Sequence, residues 1–362
     1  MLLEFILFVV GLAALFVGAN TLVHGASKLA LSMGISPLVV GLTVVAFGTS
    51  APEMAVSTGA VLNGQSDIAV GNVVGSNIFN VLFILGVSAL IAPLVVHTQL
   101  IRQEVPIMLG TVVLLLALSL DGAISRFDGA LLFGLLLLYV IFLVVQSRRA
   151  VAEQAVVFDQ NTTPAKSSTW DSRWPVQLLL IGLGLLLLVI GSECLVSASI
   201  SFAKHLGISD LVIGLTIVAA GTSMPEVAAS LAAAVKGERD IAVGNVVGSN
   251  IFNVLGCIGL GGLVSGSIGM PLAPSVITFD IWIMLAVSLA CLPVFLSGRE
   301  IARWEGGVFL VYYFGYVAYM IMDAQAHDAL PWFSSTMLSF VLPITVITLV
   351  VSIVGKQTVP RR

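Results

Sequence analysis

Apolar runs long enough to cross a bilayer fill this chain, separated by short polar turns. A transmembrane helix needs roughly 20 such residues. The pattern predicts eleven spans, near residues 3–22, 38–62, 68–92, 105–121, 128–146, 175–198, 211–235, 241–264, 277–296, 306–323 and 331–354. The longest polar stretch, 147–173, is rich in Ser, Thr and Gln and reads as a linker. Glu4 is the only charged side chain in the first apolar run, and no basic region precedes it. That run therefore reads as a mature helix and not a signal peptide.

Laid over this pattern is a repeat. The sixteen residues from Asp67 to Leu82 recur letter for letter from Asp240 to Leu255, 173 positions later. The same offset places Gly48-Thr-Ser-Ala-Pro-Glu53 on Gly221-Thr-Ser-Met-Pro-Glu226, and Gly18–Gly34 on Gly191–Gly207. Leu38-Val-Val-Gly-Leu-Thr43 echoes Leu211-Val-Ile-Gly-Leu-Thr216. Further on, Arg126-Phe-Asp-Gly129 echoes Arg303-Trp-Glu-Gly306, and Glu104 and Asp280 each stand four residues before a Met-Leu pair. Residues 1–146 and 174–323 thus form two five-span halves, joined by the 147–173 linker. An odd number of spans forces the second half to enter the membrane in the opposite sense, the plan of secondary transporters. The expected fold is an all-α polytopic membrane protein: two inverted five-helix repeats plus one extra C-terminal helix within 324–362.

Composition agrees. Hydrophobic residues make up 58% of the chain and charged residues 9%, far below the quarter or so of soluble domains. The net charge of −4 carries no message about nucleic acid, and no phosphate-binding glycine loop for a nucleotide occurs. Cys194, Cys257 and Cys291 lie in apolar runs without CxxC spacing and read as buried hydrophobes. The basic residues set the orientation, since cytoplasmic loops collect Lys and Arg. With the N-terminus outside, thirteen of the 15 Lys and Arg fall on the cytoplasmic side, and only Arg126 and Lys204 fall outside. The linker and the basic tail are then cytoplasmic, and the chain is expected in the cell (inner) membrane.

The candidate chemistry lies in the repeated motifs. A glycine and a proline interrupt the helix at Gly48–Pro52, and proline leaves a carbonyl without its partner. In lipid, such groups are tolerated only where they face protein, water or a ligand. The carbonyls of Ala46 and Thr49, the hydroxyls of Thr49 and Ser50 and the carboxylate of Glu53 are all hard oxygen donors. Ala219, Thr222, Ser223 and Glu226 repeat the set. A carboxylate there costs about 3 kcal/mol on insertion scales, so it marks function. In the next span Asn72, Ser76 and Asn80 lie four apart and share a helix face, as do Asn245, Ser249 and Asn253. The adjoining Gly71/Gly75 and Gly244/Gly248 pairs permit close helix approach. Taken alone, such a stripe is more often packing than ligand; paired with a mid-span Glu in both halves, it points to a site. Oxygen-only donors suit Na⁺, Mg²⁺ or Ca²⁺ and argue against zinc and copper, and flexible carbonyl-rich coordination favours Ca²⁺ over Mg²⁺.

Gly-Thr-Ser-x-Pro-Glu followed by Gly-Asn-x-x-Gly-Ser-Asn-x-x-Asn, present twice, resembles the alpha-repeats of the cation/Ca²⁺ antiporter superfamily, in particular the compact prokaryotic sodium/calcium exchangers. The resemblance covers about residues 1–323, with alpha motifs at 38–92 and 211–264. It implies a ten-helix exchanger core that works by alternating access and carries Na⁺ and Ca²⁺ through overlapping sites without a cofactor. Glu53 and Glu226 would bind Ca²⁺ with the carbonyls of Thr49 and Thr222. Ala46, Ser50 and Ser76, with Ala219, Ser223 and Ser249, would complete flanking Na⁺ sites, and Asn80 and Asn253 would lie between the acids. Several family members, potassium-dependent ones among them, carry Asp where this chain has Asn253, which weakens a case for K⁺. The expected function is electrogenic Na⁺/Ca²⁺ antiport. Alternatives are antiport of H⁺ against Ca²⁺, exchange of another divalent ion, or a cation channel; an enzyme is not expected. Val73, Val74, Val246 and Val247, where proton-coupled relatives carry Glu, favour Na⁺. Glu104 and Asp280 read as membrane-boundary residues, and Glu193, matching Asn20, as interfacial or gating.

Overall fold

A computed structural model describes residues 2–158, 173–206, 219–266 and 269–348. Nine helices among them are long and apolar enough to cross a membrane, and one bent pair makes a tenth span. The first half comprises α1 (Leu2–Met33), the pair α2 (Pro37–Thr49) and α3 (Ala51–Leu62), α4 (Ser66–Ile91), α5 (Leu100–Leu118) and α6 (Arg126–Phe158). The second comprises α7 (Trp174–His205), α8 (Met224–Val235), α9 (Arg239–Val264), α10 (Val276–Leu296) and α11 (Arg303–Ala324). The additional helix α12 (Leu330–Thr348) follows. Ten of the eleven expected spans are thereby found. For the expected span 211–235, only the turn Ala219–Gly221 and α8 are described. The echo Leu211–Thr216, most of the 147–173 linker and the basic tail lie outside the described residues.

Two helices outrun their apolar stretches. α1 continues past the expected end near residue 22 to Met33, because Leu22, Val23, Ala26, Leu29 and Ala30 keep one buried face at helical spacing. α6 continues to Phe158, into the expected linker, through Ala, Gln, Glu and Arg, all strong helix formers.

The repeat inversion is written in two small clasps. β1 (Leu94–Val95) pairs antiparallel with β4 (Glu300–Ile301), and β2 (Ala123–Ile124) with β3 (Met270–Pro271). The bonds Val96 N–H to Arg299 O (2.8 Å) and Leu272 N–H to Gly122 O (2.9 Å) extend them. The loop after α4 therefore shares a membrane face with the loop after α10, and the loop after α5 shares one with the loop after α9. Since α5 crosses the membrane, the equivalent loops after α4 and α9 lie on opposite faces. The two halves are inverted.

Glycines set how closely the halves approach. α1 and α7 cross antiparallel with Gly11 against Gly191 and Gly18 against Gly184. A Cβ at either α1 position would lie 2.9 Å from the facing glycine carbonyl. Such backbone contact is how helices pack in lipid, where apolar side chains gain little over lipid tails. α9 runs through the centre, buried from Ile241 to Phe252, and a Cβ at its Gly248 would lie 2.7 Å from Leu42 O of α2. The α12 segment Leu330–Thr336, by contrast, buries no residue.

Candidate cation site

The bend between α2 and α3 is 44°. Ser50 links them with φ −81° and ψ 1°, outside the helical region, and Pro52 and Glu53 occupy the first turn of α3. Ser223 repeats this with φ −89° and ψ 9°, ahead of Pro225 and Glu226 at the start of α8. Each acid therefore stands at a helix N-terminus, where the backbone dipole favours negative charge. Both are buried, at 0% and 1% exposure. No Lys or Arg occurs between Lys28 and Arg102, or between Lys204 and Lys236, to neutralise them within their own segments.

α4 and α9 form the facing walls. Each loosens into a π-helical stretch, Asn80–Leu85 and Asn253–Ile258, beginning at the last asparagine of its stripe. Such widened turns concentrate at functional sites.

The hydrogen bonds cross between the repeats in matched pairs. Ser50 O–H donates to Glu226 Oε1 (3.1 Å), and Ser223 O–H donates to Glu53 Oε1 (3.0 Å). Thr49 O–H donates to Asn245 Oδ1 (3.1 Å), and Thr222 O–H to Asn72 Oδ1 (3.2 Å). Asn72 and Asn245 in turn donate to Ser57 and Ser230 (3.0 and 2.9 Å). The symmetry is not complete. The hydroxyl of Ser76 lies 3.1 Å from Ser223 Oγ, whereas its counterpart Ser249 Oγ has no partner.

Four buried oxygens in this cluster have no hydrogen-bond donor: Glu53 Oε2, Glu226 Oε2, Asn80 Oδ1 and Ser249 Oγ. An unmet buried polar group costs about 1–3 kcal/mol, and more when charged, so four together require an explanation. Bare buried oxygens of this kind are the donors that oxygen-coordinated cations take.

These bonds bring Thr49, Ser50, Glu53, Asn72 and Ser76 together with Thr222, Ser223, Glu226 and Asn245, and two expectations change in detail. Ala46 does not leave its carbonyl free, because Ser50 N–H reaches it at 3.0 Å. The side-chain hydroxyls of Thr49 and Thr222 point their protons at the opposite repeat's asparagines, with Thr49 Oγ1 also 3.4 Å from Ala46 O. Ser57 and Ser230 carry no mark in the sequence beyond their 173-residue offset. Asn77 and Asn250 stand in the motif but off the stripe, so periodicity passes over them. Glu104 stands near the start of α5, as expected of a boundary residue, but it does not face solvent. It is buried, accepting from Gln99 (2.9 Å) and Gln103 (2.7 Å) at Oε1 and from Tyr139 O–H at Oε2 (2.8 Å).

Known proteins resemble this chain over most of its length. The family model described as "Sodium/calcium exchanger protein" matches residues 3–145 and 176–322. The chain is 34% identical over 348 residues to the sodium/calcium exchanger MaX1 of Methanosarcina acetivorans, covering 88% of this chain and 98% of that one. It is 40% identical over 289 residues to the inner membrane protein YrbG of Escherichia coli, covering 80% and 87%. The solved structure of the sodium-calcium exchanger NCX_Mj soaked with Na⁺ and Ca²⁺ superposes with a TM-score of 0.74 at 31% identity, covering 88% of this chain and 98% of that chain. The match runs through both inverted halves, and the chain is a multi-pass membrane protein that belongs to the sodium/calcium exchanger protein family.

Proposed function

We propose that this protein is an electrogenic Na⁺/Ca²⁺ antiporter of the cell (inner) membrane, with its N-terminus outside and its C-terminus in the cytoplasm. The observation that carries the reading is the set of four buried oxygens without donors around two uncompensated carboxylates at the seam of the inverted repeats. Glu53 and Glu226 hold Ca²⁺ with the main-chain oxygens of Thr49 and Thr222. Ala46, Ser50, Ser76, Ala219, Ser223 and Ser249 provide flanking Na⁺ positions, and Asn80 and Asn253 lie between the acids. The site charge of −2 balances one Ca²⁺ or part of a cluster of Na⁺. Emptied of both, it holds two carboxylates in a medium that penalises bare charge. Cargo of one kind or the other must therefore be present for the carrier to turn over, which is what couples the two gradients. The names and ion soaks of the relatives support Na⁺ and Ca²⁺ as substrates.

The test is ⁴⁵Ca²⁺ uptake into proteoliposomes loaded with Na⁺, Li⁺ or K⁺, or bearing a proton gradient. Uptake should follow an outward Na⁺ gradient and respond to membrane voltage; uptake indifferent to Na⁺ would overturn the reading. Glu53→Gln and Glu226→Gln should each reduce exchange to background while the protein remains monodisperse in detergent.

A further inference from the structure

Beneath the two central asparagines lies a second layer of amides that touches no carboxylate. Asn77 Nδ2 donates to the main-chain carbonyl of Asn250 (3.3 Å) and to Met284 Sδ (3.4 Å). Asn250 Nδ2 donates to the main-chain carbonyl of Asn77 (3.3 Å) and to Met108 Sδ (3.6 Å). A carbonyl oxygen and a thioether sulfur can only accept. Both amide orientations are therefore settled, with each Nδ2 facing those acceptors and each Oδ1 facing the other way. There, Asn77 Oδ1 accepts from Asn253 Nδ2 (3.0 Å), and Asn250 Oδ1 accepts from Asn80 Nδ2 (3.0 Å).

The consequence falls on the central asparagines. With its Nδ2 held by Asn250, Asn80 must turn Oδ1 away, and that oxygen is buried without a donor. With its Nδ2 held by Asn77, Asn253 presents an Oδ1 whose partner is the Cys257 thiol at 3.6 Å, a weak donor. A flip of either amide would set two carbonyl oxygens about 3.0 Å apart. We infer that Asn77 and Asn250 are positioning residues for the cation site: each locks the opposite repeat's central asparagine so that it offers the cation an oxygen and not an NH₂ group. Neither residue touches the cation. The crossing also explains why Met108 and Met284 occupy matched places four residues after Glu104 and Asp280, since their sulfurs close the pattern. An Asp at position 253 would lack the N–H that Asn77 Oδ1 requires, so this chain's Asn253 and Asn77 are matched to each other.

The inference rests on the site described above being the cation site, and the experiment separates the two. Half-saturation for Ca²⁺ is measured by ⁴⁵Ca²⁺ uptake into Na⁺-loaded proteoliposomes for Asn77→Ala, Asn250→Ala, Asn80→Ala and Asn253→Ala and for the doubles of Asn77→Ala with Asn253→Ala and with Asn80→Ala. Glu53→Gln is the reference. Asn77→Ala and Asn250→Ala should each raise half-saturation about tenfold, the size of one lost hydrogen bond to a ligand group. The pattern of coupling is the stronger test. Asn77→Ala should add nothing in the Asn253→Ala background yet keep its full effect in the Asn80→Ala background. A general loss of packing would not produce that crossed pairing. Wild-type half-saturation in Asn77→Ala, or additive effects in both doubles, overturns the positioning role. Exchange that survives in Glu53→Gln overturns the site itself. Should Asn77→Ala not fold, Asn77→Ser keeps a polar group in place and is read the same way.

Discussion

At the scale of single residues, burial decides what a polar group does. Glu53, Glu226 and Glu104 are all carboxylates in apolar sequence, and all are buried. Glu104 has a donor at each oxygen, whereas Glu53 and Glu226 each keep one oxygen bare. The first has its hydrogen-bonding needs met within the protein; the other two are the carboxylates proposed above to hold the cation. Glu104→Gln would put an NH₂ where a donor already points, at a cost of about 1–3 kcal/mol. The variant should unfold at a lower temperature in a detergent thermal-shift assay while its Ca²⁺ half-saturation stays that of the parent. A rise in half-saturation would instead tie Glu104 to the ion path. Periodicity marked Ser76, Asn80, Ser249 and Asn253 because they repeat every four residues. It could not show that Ser76 is tied to Ser223 while Ser249 is not, since that depends on how two distant segments meet.

At the scale of elements, glycine placement governs contact between the halves. The seven-residue spacing of Gly11 and Gly18 keeps a bare backbone strip on α1, and Gly184 and Gly191 do the same on α7. Gly18→Leu would drive a side chain into the Gly184 carbonyl, which a Cβ alone would approach to 2.9 Å. The expected result is a loss of thermal stability on the order of 1–3 kcal/mol from overpacking, with ⁴⁵Ca²⁺ exchange falling alongside. Gly134→Leu, where a Cβ meets nothing within 4 Å, is the control and should leave both unchanged. The helix ends repeat the same economy across the seam. Arg126 Nε donates to Ser265 O at the end of α9 (2.7 Å), and Arg303 Nη2 to Ile91 O at the end of α4 (3.5 Å). Both provide the last carbonyls of a helix with a cationic donor from the other repeat. The sequence showed those arginines as equivalents, but not their targets.

For the whole molecule, the inverted clasps turn a charge count into a geometric statement. If the N-terminus is outside, the β1–β4 clasp is cytoplasmic and the β2–β3 clasp external. Asp121, His97 and His327 are all exposed in loops and report on these faces. In a background with the three native cysteines replaced, Asp121→Cys and His327→Cys should react with a membrane-impermeant maleimide in intact cells. His97→Cys should react only after permeabilisation. The reverse pattern would invert the topology and leave the repeat relation intact.

Hydropathy by itself determined the spans, because a lipid solvent demands long apolar helices and leaves few alternatives. The exact copy at 67–82 and 240–255 determined that there are two halves, and an odd span count made them inverted. Those are counting arguments, and a one-dimensional string is enough for them. Only the tertiary structure decided which hydroxyl meets which acid, which oxygens are left bare, and that Asn77 and Asn250 cross to steer Asn253 and Asn80. Each of these contacts joins residues 147 to 176 positions apart, and hydrogen bonds act over about 3 Å. Their partners exist only once the two inverted halves have closed on each other.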